Sequence, residues 1–227
     1  MAILPIVQYP APVLAEIAKP VADITEEIRI LAANMAETMY DAPGVGLAAP
    51  QVGKSIRLVT IDVSEEKNQL ITMINPEIIV TGGEKDVGEE GCLSLPGIYE
   101  KVNRYTEVTV RYQDLDGNTI ELQADGLLAI CIQHELDHLE GKVFVDHLSQ
   151  LKRNRACTKL RKLRQQATKD NQKRLFRQCE LTSLTKTSIK EVGKSCPILG
   201  TIISLAPGIK LATSFPASRG KSGSSCP

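Results

Sequence analysis

The residues best suited to chemistry stand close together in the sequence His134-Glu135-Leu136-Asp137-His138. On an α-helix, residues four apart lie on the same face, one turn from each other. Two imidazoles at that spacing can bind one metal ion, and Glu135 would then lie near the open position of the metal, where it can move protons. The same spacing also arises by chance on an exposed helix that binds no metal.

A third metal ligand has to come from outside this motif, because catalytic sites of this kind usually have three protein ligands and a water. His147 lies past the expected end of the helix, and Glu140 is too close on the same helix to wrap around an ion. Cys92, in segment 89–97, is the better candidate, since a glycine before it allows close backbone approach and a Pro-Gly pair after it makes a turn. A cysteine among apolar residues is also typical of a small buried side chain.

A glycine-rich segment runs from Gly44 to Gly53 and contains Gln51. Its small residues let a substrate backbone lie close, and the amide N–H of Gln51 can hydrogen-bond an oxyanion. Taken alone, the segment favours a simple loop between helix and strand, with Gln51 at its surface. It does not fit a phosphate-binding loop, because no Gly-Lys-Ser/Thr sequence ends it.

Helices and antiparallel strands are expected to position these groups. A first helix is predicted after Asp23, which forms a capping-box pattern with Glu26, and Pro43-Gly44 ends it. A second helix is predicted from a cap at Asp125 to Gly141, and a third, basic helix over 148–175. Five strand-like segments lie between the first two helices, at 57–63, 70–74, 78–81, 107–112 and 119–123.

Turn residues indicate how these strands connect. Gly82-Gly83 is expected to end the strand at 78–81 in a turn, and Asp116-Gly117 to join the last two strands as a hairpin. Helix, strands and then helix predict an α+β fold, with mostly antiparallel sheets packed around a central helix that carries the metal-binding motif.

The zero net charge hides an asymmetry along the chain. Residues 152–177 contain eleven Lys or Arg and one acidic residue, whereas the first 151 residues have a net charge of −14. Such a basic segment is a candidate for docking on nucleic acid or a ribosome, and it is equally typical of a solvated helix. Past about residue 178, Ser, Thr, Gly and Pro accumulate, which predicts weak structure or disorder.

Composition also indicates the compartment. The sequence contains no run of about 18 apolar residues, so no membrane span is predicted. The N-terminus lacks the basic segment followed by an apolar segment that a secretion signal would have. The six cysteines have wide, irregular spacing, which is not typical of a disulfide framework. We therefore expect a cytoplasmic, reducing environment, in which a lone cysteine within a motif is a ligand or nucleophile rather than half of a disulfide.

The three motifs, in this order and at these separations, resemble the signature motifs of the peptide deformylase family. Residues 44–51 match Gly-x-Gly-x-Ala-Ala-x-Gln, and residues 90–94 match Glu-Gly-Cys-Leu-Ser. Residues 133–138 nearly match Gln-His-Glu-x-x-Asp-His. The resemblance covers about residues 3–165 and does not extend to 178–227. It implies a catalytic domain over 1–165, followed over 166–227 by the end of the basic helix and a disordered tail.

The resemblance implies a role for each motif residue. Cys92, His134 and His138 would bind the metal, and Glu135 would be the general acid and base. Gln51 and the backbone N–H of Leu93 would hold the oxyanion, and Gly46 would contact the substrate backbone. A pocket for a methionine side chain would be lined by Val45, Leu127, Ile130, Cys131 and His134.

The implied reaction removes the formyl group from the N-terminal formylmethionine of newly made polypeptides and releases formate. A thiolate with two imidazoles suits Zn²⁺, Fe²⁺, Co²⁺ or Ni²⁺, and the resemblance implies Fe²⁺. The partners would be N-formylmethionyl nascent peptides and, through the basic segment 152–177, the ribosome. We also expect Glu90 to pair with Arg104 and so to fix the segment of Cys92.

Two other functions remain open on the sequence alone. A zinc endopeptidase would use the same helix to cleave internal peptide bonds, but the upstream Cys92 and the Gln51 loop argue against it. A non-enzymatic metal-binding or RNA-binding module would have four protein ligands in a closed site. Only three convincing ligands are present, and Glu135 would then have no role.

Overall fold

The structure, a computed structural model, describes residues 2–187 and has an α+β fold with one five-stranded antiparallel sheet. The predicted α+β class with antiparallel strands is therefore confirmed. Its helices and strands are, in chain order, α1 (Glu26–Asp41), β1 (Gly46–Ala48), β2 (Leu58–Ile61), β3 (Ile71–Gly91), β4 (Tyr99–Gln113), β5 (Thr119–Asp125), α2 (Gly126–Leu139) and α3 (Gln150–Thr187). The strands pair in the order β1-β2-β3-β4-β5, each antiparallel to its neighbour.

Helix α1 begins slightly later than the capping-box pattern suggests. Thr25, rather than Asp23, occupies the N-cap position, and its carbonyl accepts hydrogen bonds from the N–H groups of residues 28 and 29. Met35 and Met39 of this helix are fully buried. After Asp41 the chain turns at Pro43-Gly44 and enters β1, a three-residue strand too short to be read from the sequence.

Strand β3 corrects the prediction of two separate strands ending at a Gly82-Gly83 turn. It is a single strand of 21 residues, with register shifts against β4 at three places, one of them between Gly82 and Lys85. Gly83 has a φ of +67°, and a Cβ atom there would contact the Thr106 hydroxyl. These two glycines therefore make a bulge, which bends the strand without ending it.

The predicted hairpin between β4 and β5 is confirmed. The N–H of Asp114 donates to the carbonyl of Asn118, and Gly117 has a φ of +86°, which favours glycine. In β4, Val108 and Val110 alternate with exposed residues and are buried in the core.

Helix α2 packs its apolar side chains into the same core. Ile132 and Leu139 are fully buried among residues from β2, β3 and β4. Burial of one such side chain stabilises the fold by about 1.5–3 kcal/mol. Asp125 stands at the N-cap position but makes no side-chain capping bond. Gly141 follows the helix with a φ of +69°, as its C-terminal position predicts.

Helix α3 is present, as the basic segment predicts, and begins at Gln150. It continues to Thr187, so residues 178–187 are helical where weak structure was expected; once a helix has begun, each further residue adds a hydrogen bond at little cost. The predictions for 188–227 lie outside the described residues. Cys157 is disulfide-bonded, which the irregular spacing of the cysteines did not indicate.

The chain divides into two compact units by its contacts, the first ending at Leu163 and the second beginning at Arg164. All residues of the candidate site lie in the first unit. Within residues 2–187, none of the helices combines the length and apolar character that crossing a bilayer requires.

Candidate metal centre and active-site cavity

Three predicted ligands converge at one point. Cys92 follows directly after the end of β3, and His134 and His138 lie one turn apart on α2. One donor atom of each residue lies within 4.8 Å of the others, and the Cys92 Sγ is 3.2 Å from the His138 Nε2. A thiolate and two imidazoles so arranged fit a tetrahedral ion with metal–ligand bonds of about 2.0–2.3 Å and one position left open.

His134 is held by the buried carboxylate of Glu90. Its Nδ1 lies 2.8 Å from the Glu90 Oε2, and both side chains are buried. Burial alone would raise the pKa of Glu90, but the hydrogen bonds of His134 and Arg104 lower it to about 2. The ionised carboxylate can only accept, so Nδ1 of His134 donates and Nε2 remains for a metal ion.

The expected pair of Glu90 and Arg104 is confirmed. Arg104 donates from Nε to Oε1 at 2.7 Å and from Nη2 to Oε2 at 3.0 Å. Its remaining nitrogen, Nη1, donates to Asp137 Oδ2 at 2.6 Å, and His147 Nε2 lies 2.7 Å from the same oxygen. The sequence suggests His147 only as a possible metal ligand. Its spacing from Asp137 does not predict this contact.

Glu135 lies beside the metal ligands and is 3% exposed. Burial raises its pKa to about 7. Its Oε2 has no hydrogen-bond partner among residues 2–187, so this oxygen is available to a bound water or substrate. Gly46 fits closely against it, because a Cβ atom at this position would contact Glu135 and come within 2.7 Å of the Cys131 Sγ.

Gln51 is buried beside the Cys92 sulfur rather than at the surface of a loop. Its Oε1 accepts a hydrogen bond from the Ala48 N–H at 2.8 Å, which fixes the amide. Its Nε2 is 3.4 Å from both the Cys92 Sγ and the Ser94 hydroxyl. The amide donor is therefore directed toward the metal ligands, where an oxyanion donor has to be.

A cavity of about 420 Å³ opens beside this centre. Ten of the eleven predicted site residues line it, and His138 completes the ligand set: Val45, Gly46, Gln51, Cys92, Leu93, Leu127, Ile130, Cys131, His134 and Glu135. Its walls also include Pro43, Glu89 and Tyr99, which sequence reasoning did not single out. The volume lies within the range of small-molecule and peptide side-chain sites.

An α+β fold with a Cys-His-His centre beside a buried glutamate defines the chain as a hydrolase of the metal-dependent class. The family model of polypeptide deformylase matches residues 3–154. The chain belongs to this family, whose enzymes remove the formyl group from the N-terminus of newly made polypeptides. Membership decides against the endopeptidase and the non-enzymatic module that the sequence left open.

Curated relatives and solved structures agree with this assignment. Peptide deformylase 1 of Ralstonia nicotianae is 57% identical over 162 residues, which are 71% of this chain and 96% of the relative. Peptide deformylase of Hydrogenovibrio crunogenus is 57% identical over 159 residues, covering 70% and 94%. The crystal structure of a peptide deformylase from Legionella pneumophila has a TM-score of 0.71 and 47% identity, and covers 74% of this chain and 98% of that one.

A second similar solved structure is that of a complex. It is a peptide deformylase from Synechococcus elongatus in complex with actinonin, with 45% identity and a TM-score of 0.66, covering 69% of this chain and 86% of that one.

Proposed function

We propose that Cys92, His134 and His138 hold the catalytic ion of this deformylase, and that Glu135 moves the protons. The observation that carries the proposal is the convergence of the three donor atoms beside a buried carboxylate at one cavity. In this assignment α2 is the central helix of the catalytic domain, since it carries both histidines and Glu135 and packs into the main core.

The roles of the chain's own groups follow from their surroundings. A divalent ion in this site would act as a Lewis acid toward water and toward a carbonyl oxygen. Glu135, with a pKa of about 7, is suited to accept a proton from the attacking water and to deliver one to the departing amine near neutral pH. The Gln51 amide and the backbone N–H of Leu93 would donate to the oxyanion on the formyl carbon.

The apolar side of the cavity is suited to bind a methionine side chain. Val45, Leu127, Ile130 and Cys131 line it together with His134. Burial raises the pKa of the Cys131 thiol well above its usual value, so this cysteine stays neutral and serves as an apolar wall. Gly46 would lie against the substrate backbone, because a larger residue would fill the space next to Glu135.

Iron is the ion we propose for the native enzyme. The donor set fits Fe²⁺, Zn²⁺, Co²⁺ and Ni²⁺ alike, and the choice of Fe²⁺ rests on the resemblance to the family. Protein purified without added metal, under argon, should contain iron by mass spectrometry in near-equal amount to the chain. Zinc as the main ion would contradict this part of the proposal.

The test of the catalytic assignment compares two glutamates, one on α2 and one directly after it. Glu135→Gln should lower formate release from a formyl-methionyl peptide by on the order of a hundredfold or more while the bound metal is kept. Glu140→Gln is the control, because Glu140 follows α2, pairs with Arg57 at 2.7 Å and does not line the cavity. Equal activity of both variants would contradict the role of Glu135. Actinonin should bind the wild type, since the similar Synechococcus elongatus deformylase forms a complex with it.

We also propose a cytoplasmic enzyme whose catalytic domain covers 1–165 and whose basic segment 152–177 docks on the ribosome, where formylated nascent chains emerge. The support is the charge of that segment, which lies on α3 and would meet ribosomal RNA. Co-sedimentation with ribosomes should weaken steeply as salt rises. Binding that does not change with salt, or no binding, would remove the docking part of the proposal.

A further inference from the structure

The short 3₁₀ turn Phe144–His147, which follows α2, contacts the surroundings of His134 in two ways. The Phe144 ring, 1% exposed, stacks on the His134 ring with a centroid distance of 6.2 Å and an interplanar angle of 25°. At the other end of the turn, His147 Nε2 lies 2.7 Å from Asp137 Oδ2. The turn therefore contacts the ligand directly and also reaches a carboxylate on its helix.

The contact of His147 is the first step of a continuous chain of hydrogen bonds. Asp137 Oδ2 also accepts from Arg104 Nη1 at 2.6 Å. The other nitrogens of Arg104 hold both oxygens of Glu90, and Glu90 Oε2 accepts from His134 Nδ1 at 2.8 Å. Three bonded groups thus separate a half-exposed histidine from a metal ligand.

Electrostatics explain why the outer end of this chain needs His147. Asp137 lies in the last turn of α2, where the helix carbonyls carry negative partial charge and disfavour a carboxylate. Hydrogen bonds from Arg104 and His147 stabilise the Asp137 carboxylate against this unfavourable charge. Arg104 is buried between two carboxylates, so the position of its guanidinium depends on both being held in place.

We infer that His147 is a positioning residue for the metal ligand His134. Its Nε2–H fixes the Asp137 carboxylate, which fixes Arg104, and Arg104 in turn fixes the Glu90 oxygen that orients the His134 ring. The Phe144 ring, which stacks on the His134 ring, also restricts its orientation. The inference rests on the proposed role of His134 as a ligand, and it adds a residue outside the signature motifs to the machinery of the site.

The test compares two substitutions of His147 in the full chain. His147→Gln can keep a donor at the place of Nε2, whereas His147→Phe keeps the ring shape and removes the donor. Co²⁺ is titrated into metal-free protein, and affinity and the visible absorption bands are measured. His147→Phe should weaken Co²⁺ binding by roughly threefold to tenfold, less than the 10–100-fold of a direct partner, and should shift the bands. His147→Gln should remain close to wild type in both.

A control and a double variant separate positioning from general stability. Arg153→Gln removes a neighbouring ion pair with Asp146 (2.8 Å) and should leave the Co²⁺ bands unchanged. His147→Phe combined with Asp137→Asn should bind Co²⁺ no more weakly than Asp137→Asn alone, because both act through one hydrogen bond. An additive loss in the double variant would contradict the proposed chain.

Two results would overturn the inference. One is Co²⁺ affinity and spectra of His147→Phe equal to those of the wild type. The other is an equal effect of His147→Phe and His147→Gln that follows their melting temperatures, which indicates a structural role alone. A wild type that binds Co²⁺ at these residues but releases no formate would count against the proposed function and not against the role of His147.

Discussion

Arg104 holds both carboxylate oxygens of Glu90, at 2.7 and 3.0 Å, with neither side chain more than 6% exposed. The two residues lie on neighbouring strands, Glu90 near the end of β3 and Arg104 in β4. The pair connects the sheet to the metal-binding helix, because the same carboxylate accepts from His134. Buried pairs of this kind are costly to break, since the remaining charge has no solvent to stabilise it.

Replacement of Arg104 by methionine should therefore destabilise the protein strongly. The change leaves Glu90 and Asp137 without their shared cation, and we expect a loss of about 3–5 kcal/mol in the free energy of unfolding. Metal content should fall as well, because Glu90, the hydrogen-bond partner of His134, is no longer held in place by Arg104. Urea denaturation and metal analysis of the purified variant measure the two effects.

The matched control for this prediction is Arg111→Met. Arg111 forms an ion pair with Glu121 at 2.8 Å, and both side chains are about half exposed, so the loss should be below about 1 kcal/mol. Equal stability losses in the two variants, or full metal content in Arg104→Met, would show that the pair does not fix the site.

Gly46→Ala should lower activity by on the order of tenfold to a hundredfold. The added methyl group would contact Glu135 and the Cys131 Sγ and displace groups that must meet the substrate closely. Gly88→Ala is the control, because the nearest atom to a Cβ there is Ile130 Cδ1 at 3.9 Å, an ordinary contact. In steady-state assays of formate release, the rate of Gly88→Ala should be within about twofold of the wild-type rate, because no group of the site is displaced. Similar rates for both alanine variants would disagree with the observed packing.

Gln51→Met should lower kcat by on the order of a hundredfold with little change in KM. The substitution keeps the size of the side chain and removes the amide donor beside Cys92, which we assign to the oxyanion formed after attack. Gln113→Met is a suitable control, since Gln113 accepts a hydrogen bond from Asn75 away from the cavity. A large rise in KM with kcat unchanged would instead indicate that Gln51 binds the ground state of the substrate.

The pH dependence of stability can be predicted at Asp62, which is not one of the metal ligands. Burial alone would raise the pKa of Asp62, but hydrogen bonds from Ser64, Tyr40 and Gln69 lower it below its usual value. The folded state therefore binds this proton more weakly than the unfolded state. The resulting stabilisation is present above the usual pKa of about 3.9 and is lost as the pH falls through the lowered value.

Tyr40→Phe should reveal this contribution. The variant lacks the 2.6 Å hydrogen bond to Asp62, so it should be less stable than the wild type at pH 7, and the difference should shrink as the pH falls from about 4 to 2. Tyr105→Phe, which does not contact Asp62, should follow the wild-type curve. Urea denaturation midpoints of the wild type and both variants across this pH range measure the effect. A stability difference between Tyr40→Phe and the wild type that stays constant with pH would contradict the lowered pKa of Asp62.

Much of the candidate site could be predicted because its signals are local. The i, i+4 spacing of His134 and His138 fixes their common face once the segment is helical, and Glu135 follows from the same turn. Cys92 and Gln51 have no such local rule, and only the combination of motifs linked them to the helix. The structure shows why they belong together, since the Gln51 amide lies 3.4 Å from the Cys92 sulfur.

Other features depend on tertiary contacts that no spacing encodes. The Gly82-Gly83 pair is typical of a turn, yet β4 pairs with β3 on both sides of it, so the ladder continues through a bulge. His147 is distant from Arg104 in sequence, and only the packing of the 3₁₀ turn brings both to Asp137. Local propensity therefore predicts which segments form helices and strands, whereas pairing between distant strands decides where a strand such as β3 ends.

The most direct test of the central claim is product analysis with wild-type protein loaded with Fe²⁺ under anaerobic conditions. We predict that formyl-Met-Ala-Ser yields equal amounts of formate and free Met-Ala-Ser, while acetyl-Met-Ala-Ser and unblocked peptides remain intact. Absence of formate, or cleavage of internal peptide bonds, would contradict the account.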